Sequence, residues 1–492
     1  MNKLYNKIKS NWFLLIIILI SAFFRFYKIG KWFTFNFDEE YQVLLAWEQV
    51  KNFHPIWIGV SASNVGFYLG PGVTYLCAIL LQISKDPLIL AYFASLLGVI
   101  TTLNIYYVTS KLHFQKAGIY ATLIYSASTF AAYFDRRFWS ATPIVFISIW
   151  FYFSLVKAQK NIRWLVLTAI LMALSLHVHL SLLSFWPIAL FIVWTIRKNI
   201  KLKNWLLIIG SYLLFISPLI VFDYFHNFDN LKMPLRFVQK FLSSNQGGGN
   251  VFGNLPAFYK VLSNFWFLRF NTNIQEEFGL GIHGNSSPAY LMLILFSLVI
   301  IFWLVYQAVV QKKYRILLMS MLLFIFAFLT YSAGTVQYFL LGFLVLFAIN
   351  AGLFFSAIPQ KLSYVIIGGY IIANCLVLLT TTQTQYGLMI RKQLIKKIYP
   401  YIKNESFYLT TLSPDKRQYH SSGGWRYLFK AYGKTPDASY ADKYFGWIYS
   451  DEIKSNQPKL NVIISEYKPD KLPGKPIVSF QSGVYYGYVI KN

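Results

Sequence analysis

The chain has 492 residues, of which 56% are hydrophobic and only 13% charged, and its formal net charge is +27. A charged content near half the usual level, together with long apolar runs, is typical of an integral membrane protein and argues against a soluble basic nucleic-acid binder. Its two cysteines, Cys77 and Cys375, both lie in apolar stretches and supply neither a disulfide framework nor a CxxC metal site.

Long apolar segments predict eleven transmembrane helices. Crossing a bilayer requires ~20 residues, and some of the segments are shorter, notably 184–196. The first is interpreted as an uncleaved helix because Arg25, Lys28 and Lys31 follow it in place of a small-residue cleavage site. The predicted segments are 12–29, 87–109, 117–134, 140–156, 164–182, 184–196, 204–222, 289–310, 315–331, 336–357 and 362–382.

The linkers between these segments alternate in charge. One set is basic and contains no Asp or Glu, so all 18 acidic residues fall in the other set or in the tail. Because basic residues collect on the cytoplasmic side, we place this set and the N-terminus inside the cell. Its residues are Lys3, Lys7, Lys9, Lys111, His113, Lys116, Lys157, Lys160, Arg163, Arg197, Lys198, Lys201, Lys203, Lys312, Lys313, Arg315 and Lys361.

Residues 71–84 are apolar but are not counted as a span. The segment has only 14 residues and begins with Pro71, and counting it would move every later basic linker to the outside. We therefore predict a helix that lies at or dips into the outer surface. Eleven spans then place the tail outside a multi-pass protein of the cell (plasma) membrane.

The predicted fold class is a mainly α, polytopic membrane protein with a small extracytoplasmic α/β domain. Residues 1–382 form the transmembrane domain, with outer loops at 30–86 and 223–288, and residues 383–492 form the tail. The long loop contains the glycine-rich stretch Gln246–Asn250 and the pair Glu276-Glu277. In the tail we predict a helix over 386–399 and strands over Ser406–Thr411, Leu460–Glu466 and Ile477–Ile490, the last broken near Gly483.

Three consecutive carboxylates, Asp38, Glu39 and Glu40, follow the first predicted helix. One interpretation is a solvated acidic loop, or an N-cap at Asn36 or Asp38 for a juxtamembrane helix. The other is a general base or a metal ligand, because neighbouring aromatic side chains can shield a carboxylate and raise its pKa into a useful range.

Three further clusters lie on the predicted outer side. Arg136 and Arg137 follow Asp135, and their guanidinium groups suit either headgroup anchoring or an anionic ligand such as phosphate. His177 and His179 point about 200° apart on a continuous helix, so a metal ion shared by both is disfavoured. Contact of one histidine with phosphate is a better interpretation than a metal site, and an ordinary interfacial role is the other alternative. The stretch Asn64–Gly72 places Tyr68 among glycines, either as a plain turn or as a ring that contacts substrate.

The chain contains no Walker loop, Rossmann fingerprint, GxSxG elbow or HExxH motif. The basic linkers also lack any carboxylate that would bind Mg²⁺ beside a nucleotide. Chemistry at the outer face, where nucleotides are scarce, would therefore use an activated donor embedded in the membrane.

Several short motifs occur in an order that resembles a known family. They are Arg25-Phe26-Tyr27-Lys28-Ile29-Gly30, Phe37-Asp38-Glu39, the Asn-Val-Gly-Phe-Tyr-Leu-Gly-Pro stretch ending at Pro71, a Ser-Lys-Leu turn at 110–112, and an arginine-containing turn ahead of Pro143. Together they resemble the C-type glycosyltransferase superfamily. The resemblance is best over residues 12–145 and is closest to bacterial and archaeal relatives of protein O-mannosyltransferases and aminoarabinose lipid A transferases.

This resemblance implies an enzyme that transfers a hexosyl or pentosyl group from a polyprenyl-phosphate donor at the outer face, typically with inversion. It implies Asp38 as the catalytic base with Glu39 adjacent, and a donor phosphate held by Arg136, Arg137, His177 or His179. We expect Glu40, Tyr68 and Asp135 to contact substrate. The chain departs from the family before Pro143, where Ser140-Ala141-Thr142 replaces the frequent acidic residue.

Several alternatives stay open at this stage. A retaining mechanism would use Glu39 or Glu40 as a nucleophile. The sequence identifies no cofactor with certainty, and a divalent metal ion held by Glu39 or Glu40 with Asp135 is left open. The acceptor is a protein, a lipid or a polysaccharide; membrane lipids are further partners and nucleic acid is not. The alternative functions are a transporter or flippase for lipid-linked glycans, and a non-catalytic assembly scaffold.

Overall fold

The computed structural model describes residues 12–62, 67–233, 236, 251–268, 288–331, 334–380, 386–412, 423–454 and 457–492. The stretches Asn64–Gly66, Gln246–Asn250 and Glu276-Glu277, which the sequence analysis named, lie outside the described residues. The principal α-helices are α1 (Trp12–Phe26), α2 (Ile29–Trp32), α3 (Phe37–Asn52), α4 (Gly72–Ile83), α5 (Leu88–Leu112), α6 (Gln115–Ala127), α7 (Thr129–Phe134), α8 (Ile144–Ala158), α9 (Trp164–Val178), α10 (Trp186–Ile196), α11 (Leu202–Phe225), α12 (Val251–Asn264), α13 (Pro288–Val310), α14 (Arg315–Leu329), α15 (Leu341–Ala357), α16 (Gln360–Thr380), α17 (Leu388–Ile402), α18 (Trp425–Tyr432) and α19 (Asp442–Phe445).

The protein is a multi-pass membrane protein. Within the described residues, six helical stretches are long and apolar enough to cross a membrane: 88–112, 180–199, 202–225, 289–310, 337–357 and 360–380. Each of the eleven predicted segments falls on a helix or a pair of helices, but several of these helices are shorter than 18 residues, so the count of eleven spans stays a prediction.

Local chemistry explains where the helices break. The predicted segment 117–134 is two helices, because Ser128 has an extended conformation and its side chain accepts a hydrogen bond from the Ala131 N–H, which caps α7. The predicted helix from residue 140 begins only at Ile144, directly after Pro143. Residues 71–84 form the short helix α4 over Gly72–Ile83, while its position at the outer surface stays a prediction.

The centre of the helical bundle is α15. This helix is apolar all round and almost entirely buried, as expected of a helix surrounded by others. Its backbone lies directly against α6, since a Cβ on Gly352 would be 2.6 Å from the Ala121 Cβ. In contrast, α11 is equally apolar but largely exposed, which is the pattern of a helix that faces lipid.

The tail is a five-stranded mixed sheet covered by helices. Its strands are β1 (Phe407–Leu412), β2 (Ala438–Ser439), β3 (Leu460–Ser465), β4 (Pro476–Ser482) and β5 (Tyr485–Lys491), in the order β2-β1-β3-β5-β4. β1 is parallel to β2 and β3, and β5 is antiparallel to β3 and β4. The predicted helix and strands of the tail are confirmed, including the break at Gly483, whose φ is 56°. Strand β2 and helices α18 and α19 were not predicted.

Candidate active site

The three carboxylates lie in the first turn of α3, after Asn36 at the N-cap. Of the two predicted capping residues, Asn36 and not Asp38 is the N-cap. Acids are favoured in the first turn because the N-terminus of a helix carries a partial positive charge. Successive helical side chains point about 100° apart, so each carboxylate meets a different environment.

Glu39 is fully buried and paired with Arg137. One carboxylate oxygen accepts hydrogen bonds from Arg137 Nε at 2.8 Å and Nη2 at 2.7 Å. The other oxygen accepts the Asn36 backbone N–H at 3.1 Å, as in a capping box. Glu39 therefore ties the start of α3 to the turn that follows α7.

Glu40 is also fully buried, but it binds the tail. Its two oxygens accept the backbone N–H groups of Gly424 at 2.7 Å and Tyr427 at 3.0 Å, at the N-terminus of α18. Burial raises the pKa of Glu40, and these two N–H groups act in the opposite direction. Glu40 therefore links α3, which we call the acidic helix because of its three carboxylates, to the tail. The predicted contact of Glu40 with substrate remains a proposal.

Asp38 differs from both neighbours. It is half-buried, and among the described residues no side chain or backbone group donates a hydrogen bond to it. Burial raises the pKa of Asp38 to about 7, the negative charge of Glu39 adds to the rise, and the positive charge of Arg137 opposes it. A carboxylate with a pKa near neutrality and unoccupied oxygens is suited to accept a proton.

Asp135 and Arg136 bind the end of α1. The Arg25 Nη2 and Nε atoms lie 2.7 and 2.9 Å from one Asp135 oxygen, and both side chains are buried. Arg136 donates from Nε to the carbonyl of Arg25 at 3.1 Å and from Nη2 to the carbonyl of Phe24. Asp135 is therefore paired with Arg25 of α1 and not with the adjacent Arg136 or Arg137.

The two histidines have different surroundings. The Nδ1 of His177 accepts the Gly72 N–H at 3.1 Å, so Nε2 carries the proton that is donated to the Phe215 carbonyl at 2.8 Å. A Cβ on Gly70 would lie 2.3 Å from the same ring, which makes the absence of a side chain there a packing requirement.

His179 lies just past the end of α9, in an extended conformation. Its Nδ1 accepts the Ser181 N–H at 3.1 Å. Its Nε2 makes no hydrogen bond to any residue that the structure describes. The side chain is only partly buried, so this nitrogen is available to a ligand.

A row of aromatic rings connects Arg137 to His179. The Arg137 guanidinium lies 3.9 Å from the centre of the Trp139 ring, which is 4.5 Å from Tyr338, and Tyr338 is 5.3 Å from His179. Tyr338 is close enough to Asp38 and Arg137 to interact with their charges. Tyr338 was missed as a site residue because it is far from Asp38 and Arg137 in the sequence. Trp139 follows Arg137 by two residues but was not distinguished from the many other aromatic residues of the chain.

Tyr68 lies in a loop next to α3. Its backbone is paired with Asn230, which accepts the Tyr68 N–H at 2.7 Å and donates to the Tyr68 carbonyl at 3.0 Å. Tyr68 is near Tyr41, one turn beyond Asp38, and Tyr41 stacks on Phe445 of the tail at 4.8 Å. The loop that carries Tyr68 is therefore held against the acidic helix.

The carboxylates proposed as metal ligands have separate partners. Glu39 binds Arg137, Glu40 binds α18, and Asp135 binds Arg25. Across the part of the chain that the structure describes, no three His, Cys, Asp or Glu side chains are grouped to hold a metal ion.

At the level of the overall fold, the solved structures of similar proteins agree with the resemblance seen in the sequence. The chain is similar over 97% of its length to ArnT from Cupriavidus metallidurans bound to undecaprenyl phosphate, with a TM-score of 0.62 and 10% identity, covering 96% of that chain. The apo state of ArnT gives a TM-score of 0.60 at 10% identity, covering 98% of both chains. An oligosaccharyltransferase from Archaeoglobus fulgidus in complex with Zn and sulfate gives 0.46 at 13% identity, over 92% of this chain and 67% of that one.

Neither the comparison with protein-family models nor the comparison with curated protein sequences gives a match. At 10% identity the likeness to ArnT shows the fold alone, so the chemistry has to be argued from the side chains of this chain.

Proposed function

We propose that this protein is an integral-membrane glycosyltransferase. It moves a sugar from a polyprenyl-phosphate donor to an acceptor hydroxyl at the outer face, with Asp38 as the general base. The N-terminus is cytoplasmic and the tail extracytoplasmic, as the linker charges indicate. The shared fold with ArnT, whose structure holds undecaprenyl phosphate, supports the choice of donor class.

The observation that carries the proposal is the contrast among three adjacent carboxylates. Glu39 and Glu40 accept hydrogen bonds on both oxygens, whereas Asp38 accepts none from the described residues and has a pKa of about 7. A base with a pKa near the working pH combines proton affinity with a substantial ionised fraction. If all three carboxylates were only structural, Asp38 would be expected to have hydrogen-bond partners as Glu39 and Glu40 do.

The proposed reaction is a single displacement. Asp38 accepts the proton of the acceptor hydroxyl while the hydroxyl oxygen bonds to the anomeric carbon of the sugar. The bond from that carbon to the phosphate oxygen breaks, and polyprenyl phosphate leaves. Because Glu39 is engaged with Arg137, the arrangement favours inversion by this route over a covalent intermediate on Glu39.

Among the four residues expected to bind the donor phosphate, His179 and Arg137 fit best. Arg136 is occupied by the carbonyls at the end of α1, and both ring nitrogens of His177 have protein partners. The free Nε2–H of His179 would donate to a phosphate oxygen. The positive charge of Arg137, on the same row of aromatic rings, would stabilise the leaving group.

The test compares Asp38→Asn with Asp470→Asn in the purified, membrane-reconstituted protein. Asp470 is an exposed carboxylate of the tail, so it controls for the loss of one negative charge. We expect Asp38→Asn to lower the rate of transfer from a polyprenyl-phosphate sugar by at least about a hundredfold. Donor binding and protein yield should be retained, and Asp470→Asn should transfer at the normal rate. Normal transfer by Asp38→Asn would refute the assignment of the base.

A further inference from the structure

We propose that Arg391, in the tail, is a positioning residue for the acidic helix and sets the place of Asp38 in the site. The activity readout of this inference rests on the proposed function, whereas its structural readout does not. Arg391 is on α17, more than 350 residues from the acidic turn, and its side chain is fully buried.

The guanidinium of Arg391 binds the two residues that precede α3. Its Nη1 donates to the Phe35 carbonyl at 2.7 Å and its Nη2 donates to the Asn36 side-chain oxygen at 3.0 Å. On the tail side, Nη1 also donates to the Gly423 carbonyl at 2.8 Å and Nε donates to the Tyr485 hydroxyl at 3.0 Å. One side chain thus joins the start of α3 to two separate parts of the tail.

The tail approaches the acidic helix closely enough to transmit this constraint. A Cβ on Gly424 would lie 2.2 Å from the Phe35 carbonyl oxygen, and the φ of Gly424 is +96°, a conformation that favours glycine. A Cβ on Gly423 would lie 2.9 Å from the Cα of Phe37. The two glycines therefore allow the tail backbone to lie against the first turn of α3.

A second contact holds the same turn from another direction. Glu40 accepts the N–H groups of Gly424 and Tyr427. Asp38 is thus located between Asn36, which Arg391 binds, and Glu40, which α18 binds. Because the free carboxylate itself has no partner among the described residues, its position depends on these flanking contacts.

Arginine is required for this geometry. A guanidinium presents five donors in a planar fork, whereas a lysine ammonium is a compact group with three donors and a different reach. Arg391→Lys would leave at least one buried carbonyl or amide acceptor unpaired, and the helix start would shift to relieve it. Misplacement of a reacting group by about 1 Å is enough to lower a rate by roughly a hundredfold.

Arg426 provides a matched control, because it is also a fully buried arginine of the tail. Its hydrogen bonds go to the Pro436 carbonyl and the Ser439 hydroxyl. Its ion pairs go to Asp442 and Glu452, so all of these contacts are within the tail. Lys392→Ala is a second control. It removes the 2.7 Å ion pair with Asp86, which joins the tail to the end of the first outer loop, 30–86.

The first measurement is the steady-state transfer rate of the full-length, membrane-reconstituted protein. We expect Arg391→Lys to lower kcat by between about ten- and a hundredfold with little change in the donor KM. Arg426→Lys and Lys392→Ala should change kcat less than about threefold at a temperature where each is folded. A normal kcat for folded Arg391→Lys would overturn the inference.

The second measurement does not depend on transfer. Hydrogen exchange of the backbone amides over residues 35–41 should be faster in Arg391→Lys than in the wild type and unchanged in Arg426→Lys. If this difference appears but no polyprenyl-phosphate sugar is ever transferred, the positioning role stands and the proposed function fails. Equal exchange in Arg391→Lys and the wild type contradicts the positioning role whatever the enzyme does.

If Arg391→Lys does not fold, two milder changes decide the question. Asn36→Ser removes the amide oxygen on the α3 side of Arg391 but keeps a residue suited to an N-cap. Tyr485→Phe removes only the hydroxyl on the tail side. The inference expects a larger fall of kcat and faster 35–41 exchange for Asn36→Ser than for Tyr485→Phe, and an equal or reversed order overturns it.

Discussion

The unusual environment of Asp38 makes a prediction about stability as well as activity. Burial raises its folded-state pKa to about 7 from an ordinary value of 3.8. Between these two values the folded protein keeps a proton that the unfolded chain releases, so this group makes the folded state less stable as the pH rises through that window. Asp38→Asn removes the titrating group, so the variant should be more stable than the wild type above pH 7.

The size of the effect follows from the shift. A difference of about 3 pH units corresponds to an upper limit of ~4 kcal/mol at 1.36 kcal/mol per unit. Asp38 is only half-buried and water screens part of the cost, so we expect ~1–2 kcal/mol. Near pH 4 the carboxyl is protonated in the folded state, and the advantage of the variant should disappear.

The assay is the thermal unfolding midpoint of the purified protein in detergent, measured from pH 4 to pH 8.5. Asp470→Asn is the control for the removal of an exposed carboxylate and should follow the wild type at every pH. A lower stability of Asp38→Asn than of the wild type at pH 8, or a difference between them that does not change with pH, would contradict a raised pKa of Asp38 in the folded state.

Three other predictions concern neighbouring contacts. His179→Gln should raise the donor concentration for half-maximal transfer by roughly tenfold, which corresponds to the loss of one hydrogen bond to a charged group. His177→Gln should lower the unfolding temperature without changing that concentration, because both ring nitrogens of His177 bind the protein. Similar donor curves for both variants would count against phosphate binding by His179. Asp135→Asn should destabilise the protein by ~3–5 kcal/mol in thermal unfolding, because Arg25 is left buried without its charged partner. The double variant Arg25→Met with Asp135→Leu should recover most of this loss, and no recovery would contradict the explanation. Glu40→Ala should cost ~2 kcal/mol or more, since two buried N–H groups lose their acceptor, and should speed proteolytic cleavage of the tail; unchanged cleavage would show that this contact does not secure the tail.

The order of helices and tail strands was largely predictable from the sequence. Apolar length located the helices of the eleven predicted segments, and turn residues helped to separate β1, β3, β4 and β5. Helix α12 was not predicted, since it lies inside the predicted outer loop 223–288. The break at Ser128 was not predictable in this way, because it depends on a local hydrogen bond inside an otherwise apolar segment. Helix α18 was also missed, since its N-terminus is stabilised by Glu40 from far away in the sequence.

The candidate site was only partly predictable. The acidic turn and its N-cap were visible because charges are rare in this chain, and Arg137 was visible for the same reason. Which carboxylate is free depends on partners supplied by tertiary structure, and the sequence contains no sign that Arg391 reaches Asn36 across more than 350 residues. Tyr338 likewise becomes a neighbour of Asp38 only through the packing of the bundle.

The proposed reaction breaks the bond between a sugar and a polyprenyl phosphate. The most direct measurement incubates the reconstituted protein with polyprenyl-phosphate donors doubly labelled in sugar and lipid, using membranes of the source cell as acceptor. We expect free labelled polyprenyl phosphate and a new sugar-labelled product to appear in equal amounts, and Asp38→Asn to form neither. Movement of the intact doubly labelled lipid across the membrane, without release of polyprenyl phosphate, would contradict it and identify a transporter instead.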